Sequence, residues 1–272
     1  MPLPVPAADR TALVTGASSG IGVEIARCLA ARGHGVTLVA RREGPLQELA
    51  QELAAAHGIR AEVIAADLTE VVSRNRIVEQ LEERGLQTDV LVNNAGFSTM
   101  GPVHASDAER EVAMVRTDVE AVVHLCSALV PGMVARGSGA VLNVASTAAF
   151  QPLPGQAGYG ASKAFVLSYS RALGAELKGT GVTVTTLCPG PVETGFAEAA
   201  GIGEEAAGES LPKILWVSAV DVAKAAVDGL AKGRPVVIPG LPNRLLASVA
   251  HHSPRALVLP LLARQHPALK DG

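Results

Sequence analysis

Three side chains with complementary acid–base chemistry lie close together in the second half of the chain: Ser146, Tyr159 and Lys163, in the spacing Ser-x12-Tyr-x3-Lys. Tyr159 and Lys163 are four residues apart, so on a helix both project from one face. A tyrosine is a poor base near neutral pH, because its ordinary pKa is about 10, and a nearby ammonium favours its phenolate. With Ser146 hydrogen-bonding a carbonyl or alcohol oxygen, these residues fit a proton transfer coupled to hydride transfer.

A glycine-rich segment near the start of the chain is suited to hold the hydride carrier. Three glycines in the pattern Gly-x3-Gly-x-Gly follow an apolar strand predicted over 12–15 and open a helix predicted over 21–32. Such glycines permit a tight turn and let backbone approach a pyrophosphate, which meets the positive end of the helix. The segment therefore predicts a dinucleotide site. Its predicted contacts are Gly16, Ser18, Ser19, Gly20, Ile21 and Gly22.

The residues after the second and third predicted strands indicate which dinucleotide binds. Arg41 and Arg42 stand where proteins that prefer NAD carry an acidic residue for the ribose hydroxyls. An arginine there suits a 2′-phosphate, so we predict NADP(H) rather than NAD(H), with Arg41 ahead of Arg42. Asp67 is placed to accept a hydrogen bond from the adenine amino group, with Leu68 beside it. A helix cap near Thr69 is the alternative role of Asp67.

Strands and helices alternate along the chain and must position these residues. Strands are predicted over 12–15, 36–40, 61–65, 89–92, 140–145, 182–187 and 235–239, and helices over 21–32, 44–57, 68–84, 107–136, 158–178 and 218–232. This alternation gives a mostly parallel sheet covered on both faces, a three-layer doubly wound α/β fold. The polar features all follow strands, at the edge where ligands bind in such sheets.

The composition suits one domain that has no broad attraction to nucleic acid. The chain has 272 residues, 48% of them apolar, and a net charge of −3. We expect a single domain over 1–272, with a core over about 10–240. Three widely spaced cysteines, Cys28, Cys126 and Cys188, indicate reduced thiols in a cytoplasmic protein and neither a disulfide frame nor a metal site.

The two ends of the chain carry little that predicts membrane insertion. The first residues lack the basic and apolar regions of a signal peptide, and no uninterrupted apolar run is long enough to span a bilayer. The apolar tail over about 241–272 is interrupted by His251, His252, Pro254 and Arg255. We expect it to pack on the domain or on a neighbouring subunit; a membrane-surface contact is the alternative.

The motifs, taken together, resemble those of a known family. In order they are Thr15-Gly16-x3-Gly20-Ile21-Gly22, Asn93-Asn94-Ala95-Gly96, Ser146, Tyr159-x3-Lys163 and Pro189-Gly190. This series resembles the short-chain dehydrogenase/reductase family, in its shorter single-domain form, over roughly residues 10–240. The resemblance implies a seven-stranded Rossmann fold, a nicotinamide cofactor and a Ser–Tyr–Lys centre. It places Asn94, Ala95 and Gly96 along the cofactor, and Pro189, Gly190, Val192 and Thr194 at its nicotinamide end.

The same resemblance implies an assembly and exposes one departure. Many relatives are dimers or tetramers built on two long helices, which correspond here to about 107–136 and 158–178, so we expect a homodimer or homotetramer. The family usually carries a catalytic asparagine in the first of these helices, and Asp118 is the best matching position. An aspartate keeps an acceptor, loses the amide donor and adds charge, which would alter the proton relay if the amide matters. Otherwise Asp118 occupies a hydrated, kinked helix position.

Apolar residues near the expected site indicate a hydrophobic carbonyl or alcohol substrate. A lid is expected over about 193–216, and no arginine cluster for a phosphate or dicarboxylate is visible there. The apolar candidates are Phe196, Leu211, Ile214, Leu215 and Trp216 in the lid, and Phe150, Pro152, Leu153 and Pro154 after the serine. These side chains would serve packing alone in the alternative interpretation.

Two other functions remain open at this point. A 3-oxoacyl thioester reductase would need a basic patch for a carrier protein, for which Arg110, Arg116 and Lys213 are candidates. A non-catalytic dinucleotide sensor would keep the fold without turnover. The presence of both Tyr159 and Lys163 argues against the sensor, and Asp118 alone favours it.

Overall fold

Seven strands form one parallel sheet in the computed structural model, which describes residues 3–192, 194, 212–256 and 259–260. The strands are β1 Arg10–Thr15, β2 Val36–Ala40, β3 Ala61–Ala65, β4 Gln87–Asn93, β5 Gly139–Val144, β6 Val182–Leu187 and β7 Val236–Val237. Their order across the sheet is β3-β2-β1-β4-β5-β6-β7. The predicted doubly wound α/β fold is confirmed.

Helices connect the strands and cover both faces of the sheet. They are α1 Gly20–Ala30, α2 Glu43–His57, α3 Val71–Glu83, α4 Ala108–Val115, α5 Ala121–Arg136, α6 Ala157–Glu176, α7 Ala219–Ala231 and α8 Leu241–His252. A π-helical turn, Arg116–Glu120, joins α4 to α5 in one continuous helix. Short 3₁₀ turns span Val103–Ala105, Thr147–Phe150 and Lys213–Leu215.

The core lies in two layers because successive strand residues point to opposite faces of the sheet. In β1, Leu13 and Val14 are both fully buried, each in a different apolar cluster. One cluster joins the sheet to α1, α2 and α7, and the other joins it to α3, α5 and α6. The strands are nearly uninterrupted runs of apolar residues because helices cover both faces of the sheet.

The order of the strands places a crevice at the carboxyl ends of β1 and β4. These strands are neighbours, but the chain continues from β1 to β2 on one side and from β4 to β5 on the other. Loops leaving the two strands consequently diverge, which is the switch point where ligands bind in this architecture. The predicted site residues that follow strands all belong to this edge of the sheet.

The predicted bounds of the last strand are wrong. The last strand is shorter than the predicted 235–239, since only Val236 and Val237 pair with β6, and the flanking prolines have no N–H to extend the ladder.

The helix Ala108–Arg136 is long and apolar enough, by length and composition, to cross a membrane. Core helices meet the same criterion, and its Leu125 and Met133 are buried in the core. Most of the predicted lid, including Phe196 and Leu211, lies outside the described residues.

Candidate active site

The glycine loop makes a close-fitting backbone turn between β1 and α1. Gly16 and Gly20 have φ values of 67° and 60°, in the left-handed region that favours glycine. A Cβ on Gly16 would lie 2.8 Å from Asn94 Nδ2, and one on Gly22 would collide with the Gly16 carbonyl oxygen. Ser19 precedes α1 without a side-chain cap, so the first amide groups of the helix face the crevice, as in an anion-binding helix start.

Hydrogen bonds centred on Thr15 join the loops after β1 and β4, although the sequence motif indicated no separate role for this residue. The Thr15 hydroxyl accepts hydrogen bonds from the backbone N–H groups of Asn94 and Ala95, each at 3.0 Å. The Asn94 amide donates to the carbonyl oxygens of Thr15 and Gly16. Thr15 therefore sets the distance between the glycine loop and the second loop of the crevice.

The residues predicted to determine the preference for NADP over NAD lie at the outer end of this crevice. Arg41 and Arg42 are both exposed, and Arg42 donates to the backbone carbonyl and the hydroxyl of Ser18, each at 3.3 Å. Asp67 accepts from the N–H and the hydroxyl of Thr69, so its capping role is present. Leu68 is buried, and its carbonyl accepts from Arg74 at 2.6 Å.

The three residues with acid–base chemistry come together between β5 and α6. Ser146 lies just after β5, where its hydroxyl accepts from the Ala148 N–H at 3.1 Å and hydrogen-bonds the Tyr159 phenol. Tyr159 and Lys163 lie one turn apart on α6, and the ammonium is 5.6 Å from the centre of the tyrosine ring. Lys163 also donates to the Val144 carbonyl at 3.3 Å, which ties α6 to the end of β5.

Asp118 is brought into the same group by the π-helical turn. Its Oδ2 lies 2.8 Å from Lys163 Nζ, and its Oδ1 accepts from the Phe97 N–H at 3.1 Å. A Cβ on Gly96 would lie 2.8 Å from Asp118 Oδ1 and 3.1 Å from Lys163 Nζ. Glycine at position 96 is therefore needed for the aspartate and the lysine to meet beneath the loop after β4.

Asp118, Tyr159 and Lys163 are only 1%, 9% and 4% exposed. Burial and the nearest opposite charge shift the pKa of each of these groups in opposite directions. Burial raises the pKa of Tyr159, the ammonium of Lys163 opposes that rise, and Asp118 adds to it. Burial disfavours the charge on Lys163, but the oxygens of Asp118 and Tyr159 outweigh it and raise the Lys163 pKa. Burial raises the pKa of Asp118 against the opposing effect of Lys163.

Hydrogen bonds from Asn243 of α8 hold the segment that follows β6. Asn243 is buried, and its amide donates to the carbonyl oxygens of Leu215 at 2.9 Å and Pro239 at 3.2 Å. The side chain lies so close to Gly190 that any Cβ there would overlap it. The sequence carries no specific signal for Asn243, which is one of several polar residues in this helix.

The other residues predicted at the nicotinamide end lie on both sides of the crevice. Val192 pairs with Val217 in an isolated parallel bridge, which fixes the two ends of the segment predicted as a lid. A Cβ on Gly20 would lie 3.2 Å from Thr194 Cγ2, so Thr194 reaches the glycine loop. Pro189 accepts from the Thr147 N–H at 2.9 Å, next to Ser146.

The predicted apolar lining is divided between surface and core. Ile214 is exposed, whereas Leu215 and Trp216 are partly buried. Phe150 is buried in the core and packs edge-on against His251 of α8 at 6.1 Å. It therefore anchors α8 and does not line the crevice as expected, because its apolar ring gains more from the core. Leu153 packs against Gly160, next to Tyr159.

This geometry could hold a dinucleotide beside side chains that are able to transfer a proton. The cradle combines tightly fitted glycines, an uncapped helix start and exposed arginines. These features suit a pyrophosphate and an added phosphate charge. The proton-transfer group is a buried phenol with a hydroxyl and an ammonium beside it.

Comparisons with known proteins agree with this geometry. A family model described as short chain dehydrogenase matches residues 10–207. A putative ketoacyl reductase from Streptomyces coelicolor is 40% identical over 191 residues, which cover 70% of this chain and 73% of that protein.

Two solved structures have a similar fold. A short-chain dehydrogenase from Sphingobium yanoikuyae in complex with NADPH aligns with a TM-score of 0.78 and 32% identity, over 96% of this chain and 94% of the other. A bulky-bulky ketone specific alcohol dehydrogenase from Comamonas testosteroni aligns with a TM-score of 0.73 and 30% identity, over 94% of this chain and 92% of the other.

Proposed function

The chain belongs to the short-chain dehydrogenase/reductase family of oxidoreductases, and on that basis we propose that it interconverts a hydrophobic ketone or aldehyde and its alcohol with NADP(H). One observation carries the proposal. A buried tyrosine, hydrogen-bonded by Ser146 and faced by the Lys163 ammonium, lies at the sheet edge that also holds the glycine cradle. Acid–base chemistry and dinucleotide binding meet at one place.

The residues along the crevice fit an NADP(H) molecule in an extended conformation. Gly16, Gly20 and Gly22 would admit the pyrophosphate to the start of α1, with Ser18, Ser19 and Ile21 around it. Arg41 would meet the 2′-phosphate, and Asp67 and Leu68 the adenine, while Arg42 would hold the glycine loop through Ser18. The remaining proposed contacts are Asn94, Ala95, Gly96, Tyr159, Lys163, Pro189, Gly190, Val192 and Thr194. The cofactor supplies or accepts the hydride when bound.

Tyr159 would move the proton. During reduction its hydroxyl donates a proton to the carbonyl oxygen as that oxygen gains negative charge, and during oxidation the phenolate removes the proton. The hydroxyl of Ser146 adds a hydrogen bond to the same oxygen and helps to orient it. The Lys163 ammonium lowers the cost of the phenolate, and the Val144 carbonyl and Asp118 hold the ammonium in place.

Apolar side chains near the crevice support a hydrophobic substrate. Exposed Ile214 and partly buried Leu153 and Trp216 offer apolar surface near the crevice. Similarity to the bulky-bulky ketone specific alcohol dehydrogenase from Comamonas testosteroni supports the same class. A reductase of 3-oxoacyl thioesters is the second candidate, favoured by the 40% identity to the putative ketoacyl reductase and by exposed Arg110, Arg116 and Lys213.

Replacement of Tyr159 by phenylalanine tests whether the site catalyses a reaction or only binds a nucleotide. The variant keeps the ring and loses the proton donor, so kcat/KM for NADPH-dependent ketone reduction should fall about 100-fold or more. NADPH affinity, followed by nucleotide fluorescence, should remain close to that of the parent. Tyr169→Phe is a matched control, since Tyr169 is the chain's other tyrosine and stacks on Phe165.

The panel for this test contains bulky hydrophobic ketones, aldehydes and 3-oxoacyl thioesters. A parent protein that binds NADPH and reduces none of them would favour the non-catalytic sensor. Equal turnover by the Tyr159→Phe variant and the parent would contradict the proposed role of the phenol. Preference for thioesters over simple ketones would support the second candidate.

A further inference from the structure

A buried ion pair stands behind the tyrosine, where the family usually has a neutral amide. Asp118 Oδ2 and Lys163 Nζ are 2.8 Å apart, and both side chains are almost completely buried. The family resemblance places an asparagine at this position of the helix. The substitution therefore adds a full negative charge next to the group that stabilises the phenolate of Tyr159, without removing that group.

The structure leaves the carboxylate little freedom to turn away from the lysine. The π-helical turn directs Asp118 toward the loop after β4, where the Phe97 N–H holds Oδ1 at 3.1 Å. Gly96 packs against both members of the pair and leaves no room for even a methyl group. These contacts hold Oδ2 next to the ammonium of Lys163, so the ion pair has a defined position in the site.

The titratable groups near Tyr159 indicate how the Asp118–Lys163 ion pair acts on its phenol. Lys163 approaches the ring from its own helix and Asp118 from the π-helical turn. Cys188, beyond the end of β6, has a pKa raised to about 12 by burial and stays a neutral thiol. Glu111 of α4 packs against Gly158, next to Tyr159, but it does not touch the lysine. Of the anionic groups, Asp118 is the one paired with the cation on which the phenolate depends.

We propose that Asp118 is a positioning residue that compensates the charge of Lys163, so that Tyr159 keeps its proton into the alkaline range. This inference rests on the proposed function for its catalytic meaning. Reduction needs the protonated phenol and would persist to higher pH than in a site with asparagine. Oxidation needs the phenolate and would begin only at higher pH. Both directions share one oxygen, so their pH profiles shift together.

Direct titration of the phenol tests this inference without any substrate. The chain has two tyrosines, so Tyr169→Phe leaves Tyr159 as the only one, and the ultraviolet absorbance of phenolate reports its ionisation. In that background Asp118→Asn should lower the midpoint by about one pH unit or more, as expected when a nearby like charge is removed. Asp118→Ser should shift the midpoint in the same direction if the asparagine variant folds poorly.

A matched control separates this effect from the loss of one negative charge anywhere on the protein. Glu109→Gln changes the net charge equally at an exposed position of α4 and should leave the midpoint unchanged. The pH profile of alcohol oxidation should shift downward with Asp118→Asn by the same amount as the titration. An unchanged or higher midpoint in the neutral variants would overturn the inference. A lowered midpoint without turnover in any variant would support the ion-pair role and contradict the proposed enzyme.

Discussion

Arg41 and Arg42 are neighbours of the same type, but their surroundings give them different expected roles. The side chain of Arg42 donates two hydrogen bonds to Ser18, within the glycine loop. Arg41 is exposed at the end of β2, where the added phosphate of NADPH would lie. Arg42 therefore supports the loop that any dinucleotide uses, whereas Arg41 can distinguish one dinucleotide from another.

Replacement of each arginine by alanine tests this division. Arg41→Ala should weaken NADPH binding about 10- to 100-fold and leave NADH binding unchanged, because a hydrogen bond to a charged group contributes about 1.5–3 kcal/mol. Arg42→Ala should weaken both nucleotides to a similar extent. Fluorescence titrations with the two nucleotides provide the measurement. A parent protein that binds NADH more tightly would contradict the assignment of Arg41.

Residues that act through local spacing could be predicted from the sequence, and residues that act through distant contacts could not. Tyr159 and Lys163 share a helix face by their spacing, and the glycines follow a recognisable strand. Thr15 instead depends on a partner 79 residues away, and Asn243 on one 28 residues away. The ion pair of Asp118 likewise exists only because the fold brings the π-helical turn beneath Gly96.

At the scale of the elements, prediction succeeded where an apolar run has clear ends. The bounds of β2, β3 and β6 match the predicted strands, because each strand begins directly after a glycine or an arginine and ends within two residues of a charged residue or a proline. The π-helical turn was not predicted, since one widened turn hardly disturbs the spacing of apolar residues in a long helix. The turn shapes the candidate site, because it presents Asp118 to Lys163.

Buried Asn243 is one of the side chains that attach helix α8 to the rest of the domain. Asn243→Ala would leave the carbonyl oxygens of Leu215 and Pro239 without their donor, so the free energy of unfolding should fall by about 1–3 kcal/mol. Denaturation followed by fluorescence of Trp216, the only tryptophan, provides the measurement. Ser248→Ala, at an exposed position of α8, is the control and should change stability little. Equal stability of both variants would show that Asn243 does not hold α8.

At the scale of the whole molecule, the long helices leave apolar surface uncovered. Val112 and Val115 of α4 are 50% and 43% exposed, and Phe165 of α6 is 41% exposed. An adjoining groove lies between α3, which contributes Val71, and the helix Ala108–Arg136, which contributes Val119. Exposed contiguous apolar patches on soluble domains usually mark interaction sites. We therefore propose that a second copy of the chain covers this surface, as the family resemblance led us to expect.

A charge placed on that surface at Phe165 should separate the subunits. Phe165 stacks on Tyr169 with ring centres 5.8 Å apart, so Phe165→Glu removes apolar area and places a carboxylate where another subunit would bury it. Burial of an unpaired charge is strongly unfavourable, and we expect a change from an oligomer to a smaller species in light scattering coupled to gel filtration. Val5→Glu, at an exposed position near the start of the chain, should leave the mass unchanged. A Phe165→Glu variant with the same mass as an oligomeric parent would place the subunit contact on another face.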